Sequence, residues 1–202
     1  MELGFAGTSK IPQFTLSGNT HLVLVKVRAP FMKVIIETER LLLREFTTGD
    51  AGLVYELNND PEVTKFTGDP VKDVHHASLI LSQTILPQYA LYNHGRWAVH
   101  TRDDMRFLGW CGLKARPERD EIDLGYRFMR SAWGKGFATE AAWASLRHGF
   151  DKLGLPRILG RAMPENTASL KVLEKCGMTF VRDEIVDEHP ARTYEAVYPF
   201  IR

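Results

Sequence analysis

The chain has 202 residues, 44% apolar and 25% charged, with 4 Trp, 6 Tyr and 11 Phe; that is about one domain of chain, with enough apolar side chain to bury a core and too much to remain disordered. Lys and Arg number 26 against 25 Asp and Glu, a formal net charge of +1, so nothing global draws it to nucleic acid or an anionic membrane, and an anion site has to be local. Two cysteines, Cys111 and Cys176, rule out a disulfide framework or a cysteine-only zinc site, and no run approaches the roughly 20 apolar residues that span a bilayer.

The first cation is Lys10, behind Glu2, so the start lacks the basic segment of a secretory signal, and the expected location is the cytoplasm. Residues 1–32 scatter Gly, Ser, Pro and Asn without a period and read as a peripheral extension to a domain over 33–202. Within the extension, His21 to Arg28 is a Val- and Leu-rich strand candidate with imperfect alternation. Met32 stands just before the patterned stretch, where a translation start would leave the upstream piece outside the domain.

Arg40 to Phe46 is an apolar run of strand length. Thr47-Thr-Gly-Asp50 then offers hydroxyl and carboxylate caps for a helix to about Asn59, which Asp60-Pro61 ends because the residue before proline is pushed out of the α region. A second helical stretch spans 72–92, with a kink or break at Pro87. Strands at Arg96 to Thr101 and Arg106 to Ala115 flank a polar turn, and Glu121 to Met129 alternates, placing Ile122, Leu124, Tyr126 and Phe128 on one buried face. Lys135 to Lys152 is the strongest helix, closed by Gly154. A strand (Arg157 to Ala162), a helix (Thr167 to Cys176, stopped by Gly177) and two strands (Met178 to Val186, Arg192 to Phe200) complete the chain. This irregular alternation, with hairpins in the middle, predicts a single α/β (α+β) domain with a mixed sheet rather than a regular parallel repeat.

Chemistry concentrates in Trp133-Gly-Lys-Gly-Phe-Ala-Thr-Glu140, between a strand and a helix start. Two glycines remove Cβ atoms where the chain turns, so a ligand can approach the backbone, and the helix start adds unpaired N–H donors and partial positive charge. Phosphate is the natural guest. The spacing is not that of a Walker A loop, and Thr139 stands where a dinucleotide fingerprint needs a third Gly or Ala. Taken alone, the glycines could simply shape a turn. Asn166-Thr-Ala-Ser169 adds a second element, with an N-cap amide and a hydroxyl at one helix mouth.

Together with Glu37-Thr-Glu-Arg-Leu-Leu-Leu-Arg44, Asn59-Asp-Pro-Glu-Val63, Asp123-Leu-Gly-Tyr126 and Leu173-Glu-Lys-Cys-Gly177, these segments resemble the GNAT superfamily of N-acetyltransferases, more narrowly its RimJ/RimL group. The resemblance covers about Ile36 to Arg202. It implies a mostly antiparallel mixed sheet, flanked by helices and splayed between its fourth and fifth core strands, with acetyl-CoA as co-substrate in the gap and no metal. Backbone groups of Phe128, Met129 and Arg130 would pair with the pantetheine arm, and Gly134, Lys135, Gly136, Phe137, Ala138 and Thr139 would hold the pyrophosphate. Asn166 would contact the pantetheine, Ser169 would reach the thioester sulfur, and Lys175 would meet an adenosine phosphate. Ser131 stands where the superfamily often has Gln or Arg, and Leu173 where many members carry a tyrosine acid; Ser169 takes that acid's place in the RimJ/RimL pattern.

Direct transfer in a ternary complex requires a neutral amine, for which a base is useful. Asp123 and Glu121 share one strand face by period 2 and are the two candidates, against the plain reading of a solvated face. Cys111 and Cys176 read as core filling, His75 and His76 are adjacent on a helix and point to different faces, and His94, His100, His148 and His189 show no ligand spacing. The expected acceptor is the α-amine of a protein or peptide, or a small-molecule amine; neither nucleic acid nor a membrane is expected as a partner, and a homodimer is left open. The competing class is an acyl-CoA-binding sensor or scaffold of the same fold without turnover.

Overall fold

Short apolar runs bounded by turn residues become one sheet, and the amphipathic stretches between them become the helices that cover its two faces. In the computed structural model, which describes residues 32–199, the strands are β1 (Val34–Glu37), β2 (Leu41–Arg44), β3 (Arg96–Thr101), β4 (Phe107–Arg116), β5 (Glu121–Phe128), β6 (Arg157–Ala162), β7 (Thr179–Val186) and β8 (His189–Val197). The helices are α1 (Ala51–Asn58), α2 (Pro61–Thr64), α3 (Val74–Ile80), α4 (Leu86–Tyr92), α5 (Phe137–Asp151) and α6 (Thr167–Lys175). The extension up to residue 31, its strand candidate at His21 to Arg28, and the expected strand end at Phe200 lie outside the described residues. No helix among the described residues is long and apolar enough to cross a membrane.

The sheet order is β1-β2-β3-β4-β5-β6-β8-β7. Each neighbouring pair is antiparallel except β5 with β6, which are parallel and joined by the crossover through α5. β1 is additional to the strands legible in the sequence, so the splay expected between the fourth and fifth core strands falls between β5 and β6. These two pair only at Asp123↔Leu159 and Leu124↔Gly160. Beyond Leu124, β5 continues to Phe128 with no strand on that side among the described residues.

On one face Leu146 of α5 and Leu173 of α6 pack with Leu43, Trp97, Leu113, Leu124 and Ile158 of the sheet. On the other, Val54 and Leu57 of α1 and Ala77 of α3 pack with Phe46, Leu81 and Ala98. Burying each such Leu, Ile or Phe contributes about 1.5–3 kcal/mol, which is what fixes the helices on the sheet.

The caps read at Thr47 and Asp50 are built around a buried ion pair. Asp50 receives the backbone N–H of Thr47 at 2.7 Å and a two-pronged guanidinium from Arg44 at 2.7 and 2.8 Å. Burial raises its pKa, but the Arg44 and Thr47 hydrogen bonds prevail and hold the carboxyl below its ordinary value. Leaving either charge of such a buried pair alone costs about 3–5 kcal/mol, so the pair locks the end of β2 to the start of α1.

Asp60-Pro61 ends α1 and also starts α2: the Asp60 carboxylate accepts from Glu62 N at 3.0 Å and Pro61 takes the first helical position, where its missing N–H is harmless. The break expected at Pro87 takes the form of a wide π-type turn over Leu81–Ile85, immediately before α4.

Candidate active site

After Phe128 the chain makes a single 3-10 turn (Arg130–Ala132), passes Trp133, and enters α5 through Gly134 at φ 73° and Gly136 at φ 80°. An L side chain in that left-handed region costs about 1–2 kcal/mol, so glycine is the residue that turns here freely. Gly136 caps α5 without a side chain, leaving the first-turn amides of the helix without a side-chain acceptor. The loop is braced from outside. Glu140 on α5 accepts from Thr38 Oγ1 at 2.6 Å and from Arg40 Nε at 2.7 Å, and Arg40 Nη1 donates to the Lys135 carbonyl at 3.0 Å. Lys135 Nζ folds back onto the Ser131 carbonyl at 2.7 Å. The turn between β1 and β2 therefore grips the glycine loop.

Across the gap, α6 begins at Asn166, whose Oδ1 accepts from Ser169 N at 3.1 Å. Ser169 Oγ donates to the Tyr126 hydroxyl at 2.9 Å, and that hydroxyl donates to the Ser169 carbonyl at 2.9 Å. Tyr126 thus links β5 to the head of α6, and burial pushes its phenol well above the ordinary value.

Between the loop, the open edge of β5 and α6 lies a cleft of about 470 Å³, within the range of small-molecule sites. Of the residues singled out in the sequence, Phe128, Gly134, Gly136, Phe137, Ala138, Thr139, Asn166, Ser169 and Lys175 line it. Met129, Arg130 and Lys135 do not. Met129 spends its N–H on the Leu108 carbonyl and its carbonyl on Ala132 N, and Arg130 Nε turns to Asp60 at 2.7 Å. The Phe128 carbonyl already accepts from Trp133 Nε1 at 2.8 Å. Sequence reasoning missed Tyr126, the next turn of α6 (Lys171, Val172), and the wall formed by Glu62, Val63 and Phe66, beside Thr67. The proline-capped start at Asp60-Pro61 was the available signal for that wall.

Glu121 and Asp123 project from the other face of β5, where the strand is still paired with β6. Arg161 binds both, at 2.7 Å to Glu121 and 3.2 Å to Asp123. Arg119 adds a second contact to Glu121 at 2.9 Å. Burial raises the pKa of Glu121, yet its arginine partners prevail and hold it below the ordinary value. At Asp123 burial outweighs Arg116 and Arg161 and pushes the carboxyl up. Glu184 completes the cluster: against burial, Thr193 and Arg161 hold it down to about 2. Both cysteines are buried, and burial pushes the Cys111 thiol up to about 12, which suits core filling rather than nucleophilic chemistry.

The chain matches the Acetyltransferase (GNAT) domain over residues 40–179. It is 32% identical over 154 residues to the uncharacterized N-acetyltransferase p20 of Bacillus licheniformis, covering 75% of this chain and 85% of that protein. A crystal structure of a GNAT-family acetyltransferase from Bacillus anthracis superposes with a TM-score of 0.69 at 25% identity, over 80% of this chain and 97% of the other. The fold also matches RimL, a ribosomal L7/L12 alpha-N-protein acetyltransferase in complex with coenzyme A, with a TM-score of 0.71 at 17% identity over 82% of this chain and 98% of that one. A splayed sheet, a glycine turn into α5 and a family match across most of the chain agree with one another, and the chain belongs to the GNAT family of acetyltransferases.

Proposed function

We propose that the protein transfers an acetyl group from acetyl-CoA to a primary amine, with both held in one ternary complex. The observation that carries this is the glycine turn and the head of α6 facing each other across a single cleft. The residues present suit the group: two left-handed glycines and an uncapped helix start offer backbone amides to a pyrophosphate, and the unpaired edge of β5 offers backbone groups to a pantetheine arm. Acetyl-CoA supplies the acetyl group already activated as a thioester.

In this reading the amides from Gly134 to Thr139 bind the pyrophosphate, Asn166 contacts the pantetheine, and Lys175 at the rim meets an adenosine phosphate. The Ser169 hydroxyl, whose proton rests on the Tyr126 hydroxyl in the empty protein, rotates that proton onto the departing sulfur, while the Tyr126 phenol remains anchored to the Ser169 carbonyl. Of the two acids, Asp123 is the base for the amine: a single arginine contact and a raised pKa leave it better able to take a proton than Glu121, which two arginines hold ionised. RimL is described as acting on the α-amine of a ribosomal protein, which supports an α-amine as one acceptor, with a small-molecule amine as the other.

Calorimetric titration with acetyl-CoA, using NAD and ATP as controls, tests the donor. Saturable binding of acetyl-CoA alone is expected, lost in Gly134→Asp, which places a carboxylate in the loop; unchanged affinity in that variant refutes the phosphate assignment. Thiol release with an amine panel then separates a transferase from an acyl-CoA sensor, which would bind and release nothing.

A further inference from the structure

The sheet face opposite α5 and α6 carries charges that acetyl transfer from the cleft does not use. Arg96 on β3 stands opposite Gly112 on β4, and Gly112 stands opposite Gly125 on β5, the first residue beyond the last β5–β6 pair. Lys114 lies two residues further along β4 on the same face, opposite Asp123. The carboxylates around these cations are already matched. Asp69 pairs with Arg127 at 2.8 Å, Asp123 with Arg161 at 3.2 Å, and Asp187 with Arg116 at 3.0 Å.

Arg96 and Lys114, among the described residues, have no side-chain hydrogen bond or ion pair. The Arg96 guanidinium stacks 4.8 Å from the centre of the Trp110 ring. Both side chains border a crevice of about 10 Å³ against Thr84, Ile85 and Gln88, room for about one water. Burial pulls the pKa of each below its ordinary value, and like-charged neighbours pull the same way. Asp69 and Asp123 near Arg96, and Asp123 and Glu118 near Lys114, act the other way but do not offset the burial of these two cations, so an arriving anion is favoured there.

From the proposed amine transfer at the open edge of β5, on which this inference rests, we propose that Arg96 and Lys114 form a subsite for a carboxylate carried by the acceptor. The acceptor is then an amine bearing a carboxylate, such as an amino acid, rather than a neutral amine or a polyamine. Two strand spacings, about 10 Å, separate β3 from β5, a distance that the long side chains of Arg and Lys shorten from the far side.

Equilibrium titration of the acetyl-CoA-free protein with N-acetylglycine and N-acetylglycinamide, two probes differing in the carboxylate, tests this without turnover. The acid is expected to bind about tenfold tighter, as a charge-assisted contact allows. Arg96→Gln and Lys114→Gln should each erase that preference while leaving the melting temperature and acetyl-CoA affinity in place. Equal affinity for acid and amide, no binding of either, or a preference that survives both substitutions overturns the subsite.

Thiol release with free amino acids against their amides, and with peptide amides carrying Asp against Asn at the second position, shows whether the carboxylate belongs to a small molecule or to a peptide side chain. Transfer to amines with no preference for the acid in either comparison overturns the subsite and leaves the transferase reading standing. Acid-selective binding with no thiol release from any amine does the reverse.

Discussion

The hydroxyl of Tyr126 accepts from Ser169 Oγ and donates to the Ser169 carbonyl, so it fixes the rotamer of the one hydroxyl proposed to meet the sulfur. Tyr126→Phe should lower kcat roughly tenfold, the scale of one lost positioning hydrogen bond, and leave acetyl-CoA affinity within about twofold; an unchanged kcat removes Tyr126 from the mechanism. Asp123 gives a pH signature. Burial, outweighing Arg116 and Arg161, sets its pKa above the ordinary carboxylate value, and a base works only when deprotonated, so kcat/KM should rise with pH through that raised value. Asp123→Asn should flatten this acidic limb and Glu121→Gln should not; a limb that survives Asp123→Asn assigns the base elsewhere. Alternation along β5 was legible and put Glu121 and Asp123 on one face, but period 2 does not say which carboxylate Arg161 and Arg119 neutralise. It likewise assigned Tyr126 to the buried face without naming Ser169 as its partner, because that contact joins residues far apart in the chain.

At the scale of single elements, the head of α6 combines a structural and a binding role in Asn166. Its Oδ1 caps Ser169 N, a contact worth about 1 kcal/mol, while its amide N–H groups are the ones available to a pantetheine. Asn166→Asp keeps the accepting oxygen and removes the donor. Acetyl-CoA affinity should fall while the melting temperature holds, whereas Asn166→Ala should lower both; intact affinity in Asn166→Asp would make Asn166 a cap and nothing more. α5 and α6 were legible because each is long, periodic and closed by a glycine at positive φ, Gly154 and Gly177. β1 and α2 were not: Val34–Glu37 is too short to show alternation, and α2 has four residues whose start signal coincides with the end of α1. The wall of the cleft that α2 supplies was hidden for that reason.

For the whole molecule, the decisive feature is that β5 and β6 share only two registered pairs. The sheet is continuous at the Asp123 end and open at the Phe128 end, and a ligand in the gap touches β5, the glycine turn and α6 together. The order of the elements and the position of the glycine turn were readable along the chain, whereas the depth of the opening depends on how two strands joined by the long α5 crossover diverge. A ligand that binds only the folded state adds stability by mass action, about 2.7 kcal/mol at a hundredfold excess over Kd. Saturating acetyl-CoA should therefore raise the melting temperature, and NAD should not. The same opening has a consequence for solubility. A strand edge without a partner is a template for pairing with another chain, and in the empty protein the stretch from Gly125 to Phe128 is such an edge inside the sheet rather than at its rim. Light scattering during a hold just below the melting temperature should rise sooner for the empty protein than for the acetyl-CoA complex; onset times that coincide would mean the walls of the cleft already shield that edge. The co-substrate would thus protect the protein from self-association, because it occupies the place a foreign strand would take.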